Sequence, residues 1–322
     1  MKVLVYGYYN KKNLGDDLFT YSFRSIFPDF SFTFTDLLTS ENILESDAIF
    51  FGGGSFLDQK PRIDLNAEQL LCTKPIFYMG VGADTCIHPF HQELLKMSKL
   101  IALRSNANID IITELNSNVM IIPDLVYVLQ NKAIHSNKQN KSVLILPNAY
   151  LVPQHQDPHY KHTSWSYFCS EFAQFIDNLI ENNYQVKFFP MSQNNTLHDH
   201  NASIEIINQL TNRDNDLLIT DPPQSIEEVS FLFSQFQLII TQRFHGIILA
   251  DIAKTNHISI YHHSKIKEDD SLYYYGINKN ILLEKFEDKI NKKYQEKPIN
   301  LHSFEELNLR TTEILNDEIL GN

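Results

Sequence analysis

Several features are scarce in this sequence, and each shortage excludes a class of protein. The three cysteines, Cys72, Cys86 and Cys169, are too few and too widely spaced for a disulfide framework or a zinc site, which favours a reducing compartment. The 27 Lys and Arg residues against 39 Asp and Glu give a net charge of -12, which argues against a general nucleic-acid binder. No apolar run approaches the length that spans a bilayer, and the apolar start is broken by Asn10 too early for a signal peptide. We therefore expect a cytoplasmic protein, at most peripheral to the inner face of the membrane, with no integral membrane segment.

The chain has the composition and length of a two-domain enzyme. Hydrophobic residues make up 43% and charged residues 20%, as is usual for globular proteins, and 322 residues suffice for two domains of about 150 residues each. Short apolar runs alternate with amphipathic stretches, which is typical of βαβ units around a parallel sheet. In the first half this pattern predicts strands at 2–9, 48–51, 76–81, 100–104 and 119–122.

The pattern occurs twice, on either side of a polar stretch at 130–141 that reads as a linker. We therefore predict two α/β domains, at 1–135 and 142–322, with parallel sheets and Rossmann-like character. In the second half the pattern predicts strands at 142–146, 185–190, 217–220, 238–241 and 257–261, and helices at 166–182, 202–210, 225–236, 247–254 and 304–320. Ser225 and Glu228 predict a capping box. The last helix is amphipathic and is expected to cross back to the first domain.

Three groups in the first half lie where predicted strands meet loops. Asn13 and Asp17 precede a helix, so they are either helix-entry residues or polar groups that project into a cleft. Gly52, Gly53 and Gly54 follow a strand and allow backbone N–H groups to approach an anion or sugar, although the spacing is not a full dinucleotide fingerprint. Arg104 ends another strand, where a site role and a plain surface position are both open.

The segment Arg243-Phe244-His245-Gly246 is the most specific chemical signal in the sequence. It places a permanent cation and a titratable imidazole at a strand-to-helix turn within strongly apolar sequence, where burying such groups is costly. The helix that follows directs its free N–H groups at the same place, which favours a phosphate or carboxylate that Arg243 can grip bidentately. In the alternative interpretation, Arg243 forms an internal salt bridge and His245 caps the helix.

A second cluster of polar residues, His198, Asp199 and His200, follows the strand that ends at Pro190. Three adjacent candidates without distant ligands do not make a metal site, so no metal is expected there.

Taken together and in order, these motifs resemble the polysaccharide pyruvyl transferase family. The matching pieces are Asn13 to Asp17, Gly52 to Gly54 with Asp58, Gly80 to Gly82, Arg104, Pro123-Asp124, Phe189 to Met191, and Arg243 to Gly246 with Tyr261 and Lys265. Phe244 stands where leucine is usual in the family. The resemblance implies a GT-B-like fold, with two Rossmann-like domains facing across a cleft. It further implies transfer of pyruvate from phosphoenolpyruvate to a sugar as a ketal, with no cofactor.

Within that resemblance, we expect His245 and Arg243 to be catalytic, the imidazole as general acid or base and the guanidinium as anion clamp. The acceptor is expected to be a nucleotide- or lipid-linked sugar. The expected substrate-binding residues are Asn13, Asp17, Gly52, Gly53, Gly54, Arg104, Phe244, Gly246 and Lys265. Two other functions remain open: a glycosyltransferase that uses a nucleotide sugar, and a saccharide-binding scaffold without turnover.

Overall fold

The computed structural model describes residues 1–149, 165–193, 199–211, 217–221, 223, 225–261, 270–274 and 276–320. They form two parallel-sheet α/β domains, as the sequence predicts. Unit 1 comprises Met1–Lys11, Asp16–Gln130 and Pro298–Asn322, and unit 2 comprises Lys12–Gly15 and Asn131–Lys297. No helix within these described ranges is long and apolar enough to cross a membrane.

Unit 1 is built on a six-stranded parallel sheet in the order β2-β1-β3-β4-β5-β6. Its strands are β1 (Lys2–Tyr6), β2 (Ser31–Thr35), β3 (Ala48–Gly52), β4 (Ile76–Val81), β5 (Leu100–Leu103) and β6 (Val119–Ile121). The helices between them are α1 (Leu14–Ile26), α2 (Ser40–Leu44), α3 (Ala67–Leu71), α4 (Pro89–Met97) and α5 (Ile109–Leu115). The central strands β3, β4 and β5 are buried throughout, which explains their continuous apolar sequences.

The edge strand β2 was missed from the sequence, and its burial explains why. Every residue from Ser31 to Thr35 is exposed or only partly buried, so the strand lacks the apolar run that marks the central strands. The 3-10 helix at Leu125–Lys132 likewise occupies the start of the stretch that was predicted to be a linker.

Unit 2 is built on a five-stranded parallel sheet in the order β11-β10-β9-β7-β8. Its strands are β7 (Ser142–Leu146), β8 (Gln185–Phe188), β9 (Leu238–Thr241), β10 (Asn256–Tyr261) and β11 (Leu272–Tyr273). Its helices are α6 (Trp165–Glu181), α7 (Asp199–Ile207), α8 (Ile226–Ser234), α9 (Phe244–Ile252) and α10 (Lys279–Ile290). The apolar face of α6 packs into the core of this unit through Phe168, Phe172, Phe175, Ile176 and Leu179, as the helical spacing predicts.

Several expected elements of unit 2 differ in the structure. The predicted strand at 217–220 is reduced to a single bridge between Phe188 and Leu218. Helix α10 lies in a stretch where the sequence pattern predicts no element, because the helix buries just three residues, Leu282, Phe286 and Ile290. Ser225 caps α8 by accepting a hydrogen bond from the Glu228 N–H.

The last helix, α11 (His302–Leu320), belongs to unit 1. It is held there by an ion pair between Lys99 and Glu318 and by a hydrogen bond from Arg310 to the Asn118 side chain. Its return to the first domain is therefore confirmed, whereas the predicted boundary had counted residues 298–322 with the second domain. The short segment Lys12–Gly15 differs from the predicted boundary in the opposite way. It lies in the first half of the sequence, but its contacts place it in unit 2.

A buried histidine in unit 1 should make the protein sensitive to acid. His91 of α4 is fully buried, its Nδ1 lies 2.8 Å from the Tyr78 hydroxyl, and burial lowers its pKa to about 4. The folded state therefore favours neutral His91, and stability is lost as the pH falls below about 6.5, where the unfolded chain begins to bind the proton. At pH 5 this loss should be about 2 kcal/mol. Urea unfolding at pH 7 and pH 5 measures it, and His91→Gln should remove that part of the pH dependence; an unchanged dependence would contradict it.

Candidate active site

The turn between β9 and α9 is organised around the Thr241 hydroxyl. Thr241 Oγ1 accepts a hydrogen bond from the Arg243 N–H at 3.0 Å and donates to the Arg243 carbonyl at 3.1 Å. The Gly246 N–H donates to the same carbonyl at 3.0 Å. A Cβ on Gly246 would lie 2.2 Å from Thr241 Oγ1, so only glycine fits this first helical turn. The glycine of the motif therefore lets the helix begin at Phe244, three residues earlier than predicted.

Arg243 is held by a carboxylate at the start of α7. Its Nε donates to Asp199 Oδ2 at 3.0 Å, and its Nη2 donates to Asp199 Oδ1. The Asp199 side chain is fully buried, and that of Arg243 is 12% exposed. This is a two-point pairing, which fixes the plane of the guanidinium as well as its position.

Asp199 also joins three segments that end strands of the same sheet. Its Oδ1 accepts from the Ala149 N–H at 2.9 Å, after β7, and its Oδ2 accepts from the Ser192 N–H at 2.8 Å, after β8. With Arg243 after β9, the carboxylate ties together the carboxyl ends of three neighbouring parallel strands. In open α/β sheets, ligands bind at this edge.

This role of Asp199 is not visible in the sequence, where the residue stands between two histidines that do not make a metal site. Asp199 is 44 positions away from Arg243. An acidic residue shortly after a strand of the same domain is the signal that could have identified a partner for the buried arginine. Within the described ranges, no group of three or more His, Cys, Asp or Glu is placed to hold a metal ion.

The internal salt bridge of the alternative interpretation is thus present, and it constrains how Arg243 can bind an anion. The Nε–Nη2 edge of the guanidinium is engaged by Asp199, so a bidentate grip on a ligand has to use the Nη1 side. Arg243 is the N-cap residue of α9, and its side chain makes no capping hydrogen bond.

His245 lies on the first turn of α9, directly against a glycine. A Cβ on Gly15 would lie 2.0 Å from His245 Nδ1 and 2.3 Å from its Cγ. Gly15 is positioned by strand-like pairing of its neighbours, because the Leu14 N–H donates to the Met191 carbonyl at 3.0 Å and Asn13 forms an antiparallel bridge with Ser192. The structure therefore brings Asn13, a predicted site residue, to the same edge of unit 2 as Arg243.

Replacing Gly15 by alanine should impair the imidazole while leaving the fold intact. The new methyl group has to displace His245, whereas alanine is itself the better helix former at this position. We expect turnover to fall by about 100-fold, as a displacement of about 1 Å costs in other active sites, with little change in the melting temperature. The control is Gly276→Ala, which strains the backbone more because the φ at this position is 88°. Its new methyl group meets no atom within 4 Å, so turnover should be unchanged. Equal turnover in wild type and Gly15→Ala would argue against a working imidazole at this position.

In unit 1, Arg104 is the centre of a buried polar cluster. Its Nη1 pairs with Asp124 Oδ2 at 2.8 Å and its Nη2 donates to Ser55 Oγ at 2.8 Å. Both charged side chains are nearly inaccessible, at 4% and 2% exposed, so the interpretation of Arg104 as a plain surface residue is wrong. A Cβ on Gly82 would lie 2.9 Å from Arg104 Nε, which shows how closely the backbone approaches this ion pair.

The glycines at 52–54 have two distinct structural roles. A Cβ on Gly52 or Gly53 would lie 2.3 Å or 2.4 Å from phenylalanine carbons of α1, so these two glycines allow the helix to pack on the sheet. A Cβ on Gly54 would have room, since its one neighbour is a side-chain carbon at 3.8 Å. Gly54 is instead favoured by its backbone φ of 84°, which other residues rarely adopt. Its carbonyl accepts from the Gly82 N–H at 2.8 Å.

The remaining predicted residues are placed as follows. Asp17 Oδ1 accepts from the Lys11 N–H at 3.3 Å within unit 1. The Phe244 ring lies 5.6 Å from the His245 ring in an edge-on arrangement. Lys265 lies outside the described residues.

In fold, the chain is similar to solved structures of nucleotide-sugar enzymes. It shares 11% identity and a TM-score of 0.58 with the UDP-GlcNAc 2-epimerase of Methanocaldococcus jannaschii, covering 97% of this chain and 100% of that one. With the UDP-bound MnaA of S. aureus it shares 9% identity and a TM-score of 0.57, covering 98% of this chain and 95% of that one. With the UDP-GlcNAc-bound 2-epimerase of Neisseria meningitidis it shares 11% identity and a TM-score of 0.53, covering 100% of both chains. The likeness shows a GT-B-like fold.

In sequence, no curated protein matches the chain. Residues 5–264 match the family described as polysaccharide pyruvyl transferase. That range runs from within β1 to just past the end of β10, and it includes the Arg104 cluster, Asp199 and the Arg243–Gly246 turn. The chain therefore belongs to the polysaccharide pyruvyl transferase family and is a transferase.

Proposed function

We propose that this transferase moves the pyruvyl group of phosphoenolpyruvate onto two hydroxyls of a sugar as a ketal. The observation that carries the proposal is the arrangement after β9, where a guanidinium fixed by a buried carboxylate and an imidazole share the start of one helix. A helix N-terminus with a fixed cation favours an anion, and an imidazole suits proton transfer near neutral pH. Both properties are what phosphoenolpyruvate chemistry requires.

The reaction balances in two steps. In the first, the oxygen of one sugar hydroxyl loses its proton to a base and bonds to the carbon that bears the phosphate, while the carbon–carbon double bond opens and the methylene carbon gains a proton to become a methyl group. In the second, the bond from that carbon to the phosphate oxygen breaks, inorganic phosphate leaves, and a second hydroxyl forms the other ketal bond as it loses its proton. The reaction needs an acid, a base and groups that hold the phosphate and carboxylate.

We assign these tasks within unit 2 as follows. Arg243 holds the phosphate or carboxylate of the donor through its Nη1 side, together with the first N–H groups of α9. His245 moves the proton, and Gly15 keeps its ring in place. The acceptor is proposed to be a nucleotide- or lipid-linked sugar. Asn13 is its proposed contact in unit 2, and Asp17 and Gly54 are its proposed contacts in unit 1, where the buried Arg104 positions Ser55 next to Gly54.

The test is to incubate the purified protein with phosphoenolpyruvate and a panel of sugar precursors, and to follow phosphate release and product mass. The proposal predicts phosphate release that depends on both substrates, with one pyruvate ketal added to the sugar. Release of a nucleoside diphosphate from a nucleotide sugar, with no use of phosphoenolpyruvate, would instead identify a glycosyltransferase. Sugar binding without any turnover would identify a scaffold.

Replacing Arg243 by lysine should weaken donor binding more than it slows the chemical step. A lysine ammonium cannot donate to both Asp199 oxygens and to a ligand in one plane. We expect the KM for phosphoenolpyruvate to rise at least tenfold, as losing one hydrogen bond to a charged group costs about 1.5–3 kcal/mol. The matched control is Arg62→Lys in unit 1, whose side chain is 67% exposed. Steady-state kinetics measures both, and an unchanged KM in Arg243→Lys would remove Arg243 from the donor site.

A further inference from the structure

Unit 2 contains a cavity of about 550 Å³ at the opposite edge of its sheet. Gln237 and Asn256, which line it, stand at the amino ends of β9 and β10, whereas Arg243 follows the carboxyl end of β9. At the usual rise per residue, the five steps from Gln237 to Gln242 span about 17 Å. The cavity is therefore distinct from the candidate active site, and its volume is that of a small-molecule site.

The lining of this cavity is basic in a protein that is acidic as a whole. Four lysines, Lys138, Lys254, Lys292 and Lys293, face one carboxylate, that of Glu296. They come from three separate stretches of the chain, so their convergence is a product of the fold. The stretch from Asn131 to Lys141 contributes three lysines and no acidic residue to a chain with a net charge of -12.

The present partners of these lysines are weak competitors for an anion. Lys254 pairs with Glu296 at 3.1 Å and Lys292 with Asp288 at 2.6 Å, and all four of these side chains are 44–72% exposed. Surface pairs of this kind contribute little, because water screens both charges and two long side chains have to be ordered. Lys293 has no ion pair with any residue that the structure describes.

Lys138 contacts the end of α9, and this contact shows an alternative to anion binding. Its Nζ donates to the Lys254 carbonyl at 3.0 Å, just after α9 ends, and burial lowers the pKa of its ammonium. Lysines near helix C-termini satisfy exposed carbonyls in many proteins. Here, however, side-chain amides do much of that work, because Gln237 donates to the Ile290 carbonyl and Asn256 to the Lys289 and Lys292 carbonyls. Capping thus leaves Lys292 and Lys293 unexplained.

We propose that this cavity, at the amino edge of the second sheet, binds a phosphate-bearing ligand that is not the substrate at Arg243. Lysine ammonium groups on flexible stems are suited to phosphate oxygens, and the Asn140 side-chain amide at the wall can donate a further hydrogen bond. The same chemistry serves a free phosphorylated metabolite and the headgroup of an anionic lipid.

The test compares the full-length wild type with Lys138→Gln/Lys293→Gln and with a control of equal charge, Lys60→Gln/Lys96→Gln, whose two lysines are about half exposed in unit 1. Calorimetric titration with inorganic pyrophosphate probes free phosphate. Co-sedimentation with vesicles of phosphatidylglycerol, against vesicles of phosphatidylcholine, probes a lipid headgroup. Arg243→Lys is titrated alongside to recognise binding at the other edge of the sheet. Circular dichroism and thermal unfolding establish that each variant is folded.

The proposal predicts saturable binding in at least one arm, weakened at least tenfold by the cavity variant and unchanged by the control. Binding of pyrophosphate would identify a free phosphorylated metabolite as the ligand, and binding of phosphatidylglycerol vesicles would identify a lipid headgroup. Absence of binding both to pyrophosphate and to phosphatidylglycerol vesicles, or equal binding by the cavity variant and wild type, would overturn it. Loss of binding in Arg243→Lys alone would overturn it as well, since the anion would then lie at the catalytic edge.

Discussion

Asp199→Asn should both destabilise unit 2 and nearly abolish turnover. The carboxylate accepts four hydrogen bonds, two from Arg243 and one each from the Ala149 and Ser192 N–H groups. In asparagine one oxygen becomes an NH2 group that faces N–H donors, and the buried guanidinium loses its counter-charge. Breaking a buried ion pair costs about 3–5 kcal/mol, and we expect a loss of about 3 kcal/mol in the free energy of unfolding. Turnover should fall at least 100-fold, because Arg243 is no longer held in plane.

Urea unfolding and steady-state kinetics measure these two effects. The control is Asp288→Asn in the same unit, which removes the same charge from a surface pair with Lys292 and should leave the free energy of unfolding nearly unchanged. If Asp199→Asn kept wild-type stability and turnover, the carboxylate would not be what positions the arginine.

His245→Ala should reduce turnover by a factor of about 100 to 10,000, the usual contribution of a general acid or base. Its effect on folding should be small, because the ring lies beside Gly15 at the edge of the sheet and not in the central core. Alanine also leaves a space next to Gly15, so added imidazole should restore part of the activity. Such rescue would separate a proton-transfer role from a purely structural one.

Phosphate release from phosphoenolpyruvate in the presence of an accepted sugar is the readout for this variant. His302→Ala is the control, because that histidine is 92% exposed and forms an exposed hydrogen bond with Glu305 on its own helix. Near-wild-type turnover by His245→Ala in a folded protein would exclude the imidazole from the chemistry.

The sequence predicts most of this fold because the central strands are buried on both faces. Strand β7 and the limits of β4 follow directly from apolar runs, and α6 follows from its helical spacing. Strand β2 and helix α10 escape prediction for the complementary reason, since their residues are mostly exposed and their apolar pattern is weak.

The candidate site is only partly predictable, since its partners are distant in sequence. The Arg243–Gly246 turn is recognisable because charged and titratable groups interrupt an apolar stretch. The pairing of Arg243 with Asp199, and the contact of Gly15 with His245, depend on how strand ends meet in space. The sequence also cannot distinguish a loop glycine that makes room for a ligand from one that makes room for a packed helix. Gly52 and Gly53 are of the second kind.

The most direct test of the central claim is a crystal structure of the inactive His245→Ala variant with phosphoenolpyruvate bound. The account predicts that phosphate or carboxylate oxygens lie within hydrogen-bond distance of Arg243 and of the first N–H groups of α9, with the Asp199 pairing intact. Phosphoenolpyruvate bound only at the glycines of unit 1, or a nucleotide sugar at α9 in a protein that does not bind phosphoenolpyruvate, would contradict it.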